Sequence, residues 1–229
     1  MKISILTLFP EMFDGFLNQS IISISLSKKI NEIEIINFRD YSKNKHKRVD
    51  DYQYGGGSGM VIGLQAIVDC LNDIRTPDSR VVLLTPQGKT YDQAKAKKLS
   101  KLKHLILVCG HYEGFDERII NFVDETISVG DYILTGGEIP AMLIADSCLR
   151  LVDLTINKDS LECESFENNL LDYPVYTKPK DFDGYKVPEV LLSGNHQEIN
   201  KWRKKQQILK TKKYRTDLYK KYLKTKMIK

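Results

Sequence analysis

The sequence predicts an α/β chain built on a mostly parallel sheet, and three observations carry that prediction. Near-continuous apolar runs, Val81-Val82-Leu83-Leu84 and Leu105-Ile106-Leu107-Val108-Cys109, read as strands buried on both faces. Helical stretches alternate with them, the pattern of a sheet covered on two sides. Three strand ends open into small-residue loops: Thr85-Pro86, Gly110 to Gly114, and Val129 to Gly137. Ligands of open α/β sheets sit outside the carboxyl ends of the strands, so three such ends can line one small-molecule pocket.

Residues 2–8 form the first predicted strand, closed by Phe9-Pro10. Residues 11–29 read as helix in two pieces, broken near Gly15 or Asn18, and residues 33–38 as a second strand. A polar loop leads to Arg48-Val49-Asp50-Asp51-Tyr52-Gln53-Tyr54-Gly55-Gly56-Gly57-Ser58-Gly59-Met60. So many glycines cannot hold regular structure, because each loses more backbone entropy than any other residue. Neither phosphate-loop pattern fits, since Met60 stands where a final glycine belongs. The segment is therefore a mobile loop or a close-approach surface, with Asp50, Asp51 and Tyr54 as polar anchors.

Residues 61–74 read as helix, 81–84 as a strand ending in Thr85-Pro86-Gln87-Gly88-Lys89, and 91–102 as a Lys-rich helix. The strand at 105–109 ends in Gly110-His111-Tyr112-Glu113-Gly114. A third apolar run, 126–129, leads through Gly130-Asp131-Tyr132-Ile133-Leu134-Thr135-Gly136-Gly137-Glu138 into a helix with Pro140 in its first turn. On that stretch alone, an ordinary strand-to-helix connection and a ligand-binding bend are equally good readings. Residues 151–169 are polar and acidic (Asp153, Asp159, Glu162, Glu164, Glu167) and read as a linker or lid. The prolines of Tyr173-Pro174 and Lys178-Pro179 keep the next segment extended. Asn195 then caps a basic helix.

Composition bounds the function. The chain has 229 residues, 41% of them hydrophobic, enough for one sizeable core or for a core plus a small second module. No run approaches the length of a membrane span and no basic–apolar–cleavage pattern opens the chain, so a soluble cytoplasmic protein is expected. Cys70, Cys109, Cys148 and Cys163 form no C-x-x-C pair and are expected to be reduced structural thiols. The four histidines show no metal-ligand spacing. The net charge of +5 conceals an asymmetry: residues 201–229 carry a local +12, leaving −7 for the rest. A basic end on an acidic body points to a polyanion, or else to a solvated tail. Trp202, Tyr214, Tyr219 and Tyr222 interleave with its lysines, either to pack the helix or to contact a nucleic acid.

Six motifs in register now carry a resemblance. Val49-Asp50-Asp51 with Tyr54 to Met60, Pro86-Gln87-Gly88, Cys109 to Gly114 with Asp116-Glu117-Arg118, Gly130-Asp131-Tyr132 with Gly136-Gly137-Glu138 and Pro140, Tyr176-Thr177-Lys178-Pro179, and Leu191-Leu192-Ser193-Gly194-Asn195-His196 closely resemble the bacterial tRNA (guanine-37-N1)-methyltransferases, the TrmD family of the SPOUT class. Order and spacing agree from Phe9-Pro10 to Trp202-Arg203. The resemblance implies a trefoil-knotted methyltransferase domain over 1–157, a linker or lid over 158–172, a small basic helical tRNA-binding domain over 173–229, and a homodimer. Periodicity alone gives an ordinary doubly wound sheet, since knots are essentially absent from proteins.

By the same resemblance S-adenosylmethionine (AdoMet) would be held by Thr85, Pro86, Gly110, Tyr112, Glu113, Val129, Gly130, Asp131, Tyr132, Ile133, Leu134, Gly136, Gly137 and Pro140. Family activity responds to Mg2+, for which Glu113 is the candidate residue. The tRNA would meet Asp50, Tyr54, Gly55, Gly57, Gly59, Asp172, Ser193, His196, Lys201, Arg203, Lys204 and Lys205. The methyl group would go to N1 of the guanosine 3′ of the anticodon. Guanine N1 must lose its proton to become a nucleophile, which calls for a carboxylate base and a cation near O6. The family's cation corresponds to Arg150. Its aspartate base corresponds to Glu164, a departure that adds one methylene of reach; Asp172 or Asp159 are the alternatives. A ribose 2′-O-methyltransferase and a non-catalytic AdoMet- or RNA-binding relic are the rival functions.

Overall fold

The computed structural model describes residues 1–157, 161 and 164–227. Asp159, Glu162 and Cys163, named above, lie outside the described residues. Two compact units make up the chain, Met1–Ile156 and Asn157–Lys229.

The first unit is built on five parallel strands: β1 (Lys2–Thr7), β2 (Glu32–Asn37), β5 (Ser79–Thr90), β6 (His104–Val108) and β7 (Glu125–Ser128), in spatial order β2-β1-β6-β5-β7. Alternation along the central strands divides the core in two. Ile3, Ile5, Val82, Leu84, Leu105 and Leu107 face one layer, and Leu6, Val81, Leu83, Ile106 and Val108 the other. The first layer is closed by α2 (Ser20–Ser27), α4 (Gln93–Leu99) and α5 (Glu138–Leu149), through Ile22, Leu99, Ile144 and Leu149. The second is closed by α3 (Leu64–Ile74) through Ile67 and Leu71. Full burial of each large aliphatic side chain contributes about 1.5–3 kcal/mol. Both faces of the sheet are therefore covered, which is why the runs Val81–Leu84 of β5 and Leu105–Val108 of β6 are continuously apolar.

Local chemistry sets the element ends. The short helix α1 (Asp14–Leu17) stops at Asn18, whose side-chain amide donates to the Asp14 carbonyl at 2.8 Å, and α2 begins two residues later. Of the two breaks the sequence allowed, Asn18 is the one used. The Asp92 carboxylate caps α4 by accepting from Lys95 N–H at 2.8 Å. Strand β5 departs from expectation: it does not end at Leu84 but resumes beyond an irregularity, so that both Leu84 and Lys89 pair with Ile127. Gly88 permits this, because a Cβ there would fall 2.4 Å from the Ile127 backbone nitrogen. A two-strand hairpin, β3 (Asp50–Asp51) and β4 (Val61–Ile62), encloses the glycine-rich segment.

In the second unit the basic stretch forms two helices rather than one, α6 (His196–Tyr214) and α7 (Thr216–Met227). The break falls at Arg215, whose guanidinium is paired with the Asp217 carboxylate at 2.7 and 2.9 Å. Asn195 caps α6 as expected, accepting from the Gln197 and Glu198 amides. A small hairpin, β8 (Asp181–Phe182) and β9 (Tyr185–Lys186), precedes it. Residues 164–172, expected to be a linker, fold onto α6: Leu170 is buried and the Leu171 amide donates to Thr211 Oγ1 at 2.8 Å.

Candidate cofactor pocket and nucleic-acid surface

The three strand-end loops of the first unit do converge. They line one pocket of about 540 Å³, within the range of small-molecule sites. Its wall includes every residue expected to hold a cofactor except Asp131, which is exposed and not on the lining. His111, Gln87, Phe115, Glu117, Ser128 and Thr135 also line it. None of those belonged to the expected cofactor set. His111 carries the clearest polar signature: its ring packs against Phe9 and Tyr112, at centroid distances of 4.6 and 5.1 Å, and its buried Nδ1 has no hydrogen-bond partner.

Close backbone approach explains the glycines of this wall. A Cβ on Gly137 would lie 2.6 Å from Cys109 Cα and 2.7 Å from the Gly110 nitrogen, so the two loops touch backbone to backbone. The Gly137 amide donates to the Gly110 carbonyl at 2.8 Å and fixes that contact. Gly130 has φ 149°, a left-handed value, and the Tyr132 ring folds back over it, with its hydroxyl donating to the Val129 carbonyl at 3.3 Å. Among the described residues, no hydrogen bond engages the backbone of residues 131–136. A loop with so many free donors and acceptors is suited to a polar ligand. Cys109 beneath it is inert: burial, and then the nearby Glu138, push its thiol well above the ordinary value.

The glycine-rich hairpin is anchored to the same wall. The Glu113 amide donates to the Met60 carbonyl at 3.0 Å, the Ile62 amide to the Gly114 carbonyl at 2.9 Å, and the Asp116 amide to the Ile62 carbonyl at 2.9 Å. Gly55, Gly56, Gly57 and Gly59 all have positive φ, a conformation that explains the composition of this turn. Tyr54 at its tip is fully exposed, and Asp50 at its base is half-buried. Glu113 is exposed, beside Gly59. No group of three or more His, Cys, Asp or Glu side chains among the described residues is placed to hold a metal ion, at Glu113 or elsewhere.

Arg150 ends α5 as its C-terminal cap. In the second unit Glu164 is half-buried at the start of a tight turn with three left-handed residues, Phe166, Asn168 and Asn169. Asp172 closes this turn, its amide donating to Ser165 Oγ at 3.0 Å while its carboxylate accepts from the Tyr173 amide at 2.7 Å. Ser193, His196, Lys201 and Lys204 are exposed, and the Lys201 ammonium is paired with Glu198 at 2.8 Å. Arg203 lies over the Tyr173 ring at 4.8 Å, with its Nε buried and unpartnered. Trp202 packs on Tyr176, at 6.4 Å between centroids. Trp202 and Tyr222 of the basic end thus serve packing within this unit, whereas Tyr214 is exposed.

No helix among the described residues is long and apolar enough to cross a membrane. Comparison with known proteins then places the chain. A family model described as tRNA (Guanine-1)-methyltransferase TrmD matches residues 1–221. The tRNA (guanine-N(1)-)-methyltransferase of Malacoplasma penetrans is 62% identical over 224 residues, spanning 98% of this chain and 99% of that protein. The proteins of the same name from Ureaplasma urealyticum and Mycoplasma genitalium are 56% and 54% identical, each across 99% of this chain and 100% and 98% of their own lengths. With a glycine-walled pocket at the strand ends and a match along nearly its whole length, the chain belongs to the TrmD family of tRNA (guanine-1)-methyltransferases.

Proposed function

We propose that this protein is an AdoMet-dependent methyltransferase that modifies N1 of guanine in tRNA, and that its target is the guanosine 3′ of the anticodon. The observation that carries the reading is the pocket where the three strand-end loops meet, in a chain whose full-length relatives bear the name of that activity. The pocket fits AdoMet on its own features. It offers an orphaned His111 Nδ1, unengaged loop backbone at residues 131–136, and Gly110, Gly136 and Gly137, which bring bare backbone to the wall. Thr85, Gly110, Tyr112, Val129, Gly130, Leu134, Gly136, Gly137 and Pro140 would hold it. When bound, AdoMet supplies an electrophilic methyl carbon on a positively charged sulfur.

The protein's own groups handle the nucleophile. Guanine N1 is protonated at neutral pH, so a positioned carboxylate has to take that proton before N1 can attack. Glu164 is the proposed base. A glutamate keeps the chemistry of an aspartate, with a similar unperturbed pKa and one more methylene of reach. Arg150 stabilises the negative charge that moves onto O6 as the proton leaves. Tyr54 and the glycine turn would approach the splayed-out base or its neighbour, because a base in a single-stranded loop is recognised only once unstacked. The lysines of α6, with Arg203, would hold stem phosphates and position the RNA without reading it.

Two further parts of the proposal concern architecture. The chain around β5, residues 129–137 and α5 is taken to form a trefoil knot, a reading supported by the resumed β5 pairing and by Tyr91 N–H donating to the Ser128 carbonyl at 2.8 Å. The protein is taken to be a homodimer. Ile133 is 85% exposed, and Ile139 and Leu143 present exposed apolar surface one turn apart on α5, which a second copy would cover. Digestion of tRNA after incubation with protein and AdoMet tests the chemical step. The nucleoside 1-methylguanosine is expected; 2′-O-methylated nucleosides alone, or no methylation, would overturn it.

A further inference from the structure

Beneath the pocket lies a buried carboxylate that the proposed mechanism does not use. Glu138 is 2% exposed, and its Oε1 accepts a hydrogen bond from Thr7 Oγ1 at 2.7 Å. Thr7 is fully buried, and the same hydroxyl oxygen accepts from the Phe9 amide at 2.9 Å. The carboxylate stands at the first residue of α5, where free helix amides and the helix dipole favour an anion. Its second oxygen is directed at Gly136: a Cβ there would fall 2.3 Å from Oε2 and 2.7 Å from the orphaned His111 Nδ1.

A buried carboxylate is costly, and an apolar side chain of similar size would fill the same space without that cost. What Glu138 adds is direction. Through Thr7 it ties the end of β1 to the start of α5, and Phe9, held by the same hydroxyl, packs on the His111 ring of the opposite pocket loop. We propose that Glu138 is a positioning residue for the cofactor, acting through Thr7 to hold the Gly136-Gly137 wall and the His111 ring in the binding geometry. The inference rests on the reading of this pocket as the AdoMet site.

The test is AdoMet binding by calorimetry on the full-length protein, with tRNA affinity, steady-state constants and melting temperature measured alongside. Thr7→Val removes the hydroxyl at constant shape and should raise the AdoMet Kd and KM about tenfold, with kcat at saturating AdoMet and tRNA affinity within about twofold of wild type. Glu138→Asp, one methylene short of Thr7, should do the same. Glu138→Gln and Thr7→Ser, which keep an acceptor and a donor, should restore binding to within about threefold. Thr7→Val and Glu138→Asp variants that melt earlier yet bind AdoMet as tightly as wild type would overturn the proposal and leave a stability role. Wild-type protein that binds no AdoMet would instead overturn the reading of the pocket.

Discussion

The Gly137 amide donates to the Gly110 carbonyl oxygen at 2.8 Å, and that bond joins two loops that are 27 residues apart in sequence and adjacent at the pocket wall. With backbone against backbone, residue 137 cannot take a side chain at the contact. Gly137→Ala puts a Cβ 2.6 Å from Cys109 Cα. Overpacking of that kind costs about 1–3 kcal/mol, and here the strain also displaces the cofactor wall. A lower melting temperature and an AdoMet affinity weakened at least about tenfold are expected. Gly15→Ala, where no atom lies within 4 Å of the new Cβ, is the control: it should leave the AdoMet affinity unchanged and should not lower the melting temperature, because alanine in a helix is more stable than glycine by about 0.4–1 kcal/mol.

The base assignment gives a second prediction. Glu164→Gln keeps shape and hydrogen-bonding capacity but cannot take the N1 proton. Single-turnover methyl transfer should fall by about 10²–10⁴-fold, with AdoMet and tRNA affinities unchanged. Glu164→Asp shortens the reach by a methylene and should retain an intermediate rate. Near-normal turnover in Glu164→Gln would move the role to another carboxylate, with Asp172→Asn the next variant to measure.

Charge at the basic end should appear as salt dependence. The affinity for tRNA should fall steeply between low and moderate salt, and the log–log slope should lose about 0.7–0.9 for each phosphate contact removed. Lys204→Ala tests one such contact. Arg203→Ala should weaken tRNA binding and also loosen the segment around Tyr173, on which the guanidinium is stacked. Lysine should not replace it, because the planar fork is what stacks. Unchanged binding across the salt range would contradict the assignment of this surface.

At the other end of the strands from the pocket, His104 is held between two hydroxyls, with Ser4 Oγ at 2.9 Å from Nε2 and Ser79 Oγ at 2.7 Å from Nδ1. Burial, and then the Lys2 ammonium, lower its pKa; Glu34 and Glu32 oppose them without winning. The folded state thus prefers the neutral ring more than the unfolded state does. Stability from this group is fully present above the unfolded value, about 6.5, and is lost as pH falls through it toward the lower folded value. Urea midpoints should be flat above about pH 7 and should drop as the pH falls below about 6.5. His104→Gln should flatten that limb. The carboxylate Glu34, lowered chiefly by its bond to Lys2, acts only in the more acid range and is separable.

Much of this architecture was legible in residues. The apolar runs at 81–84 and 105–109 declared a doubly covered sheet, Asn195 declared a helix start, and the three small-residue strand ends declared a shared pocket. What escaped was set by distant partners. Strand β5 resumes at Lys89 only because Ile127 is there to pair with it, and no local pattern encodes that register. Asp50-Asp51 becomes a strand only against Val61-Ile62. The break in the basic stretch is instead local: Arg215 leaves helical geometry, at φ −138° and ψ 70°, and pairs with Asp217 two residues on, in a segment whose composition reads as one helix. The link from Thr7 to Glu138 spans 131 residues and leaves no periodic trace. His111 was visible as a residue of the Gly110 loop, but its unpartnered nitrogen is a property of the packed site alone.

The measurement that bears most directly on the function is methyl incorporation from labelled AdoMet into two tRNAs that differ only in the nucleotide 3′ of the anticodon. Transfer is expected to the transcript with guanosine there, recovered as 1-methylguanosine at that position, and none to the transcript with adenosine. Equal labelling of both transcripts, or none of either by protein that binds AdoMet, would contradict the proposed function.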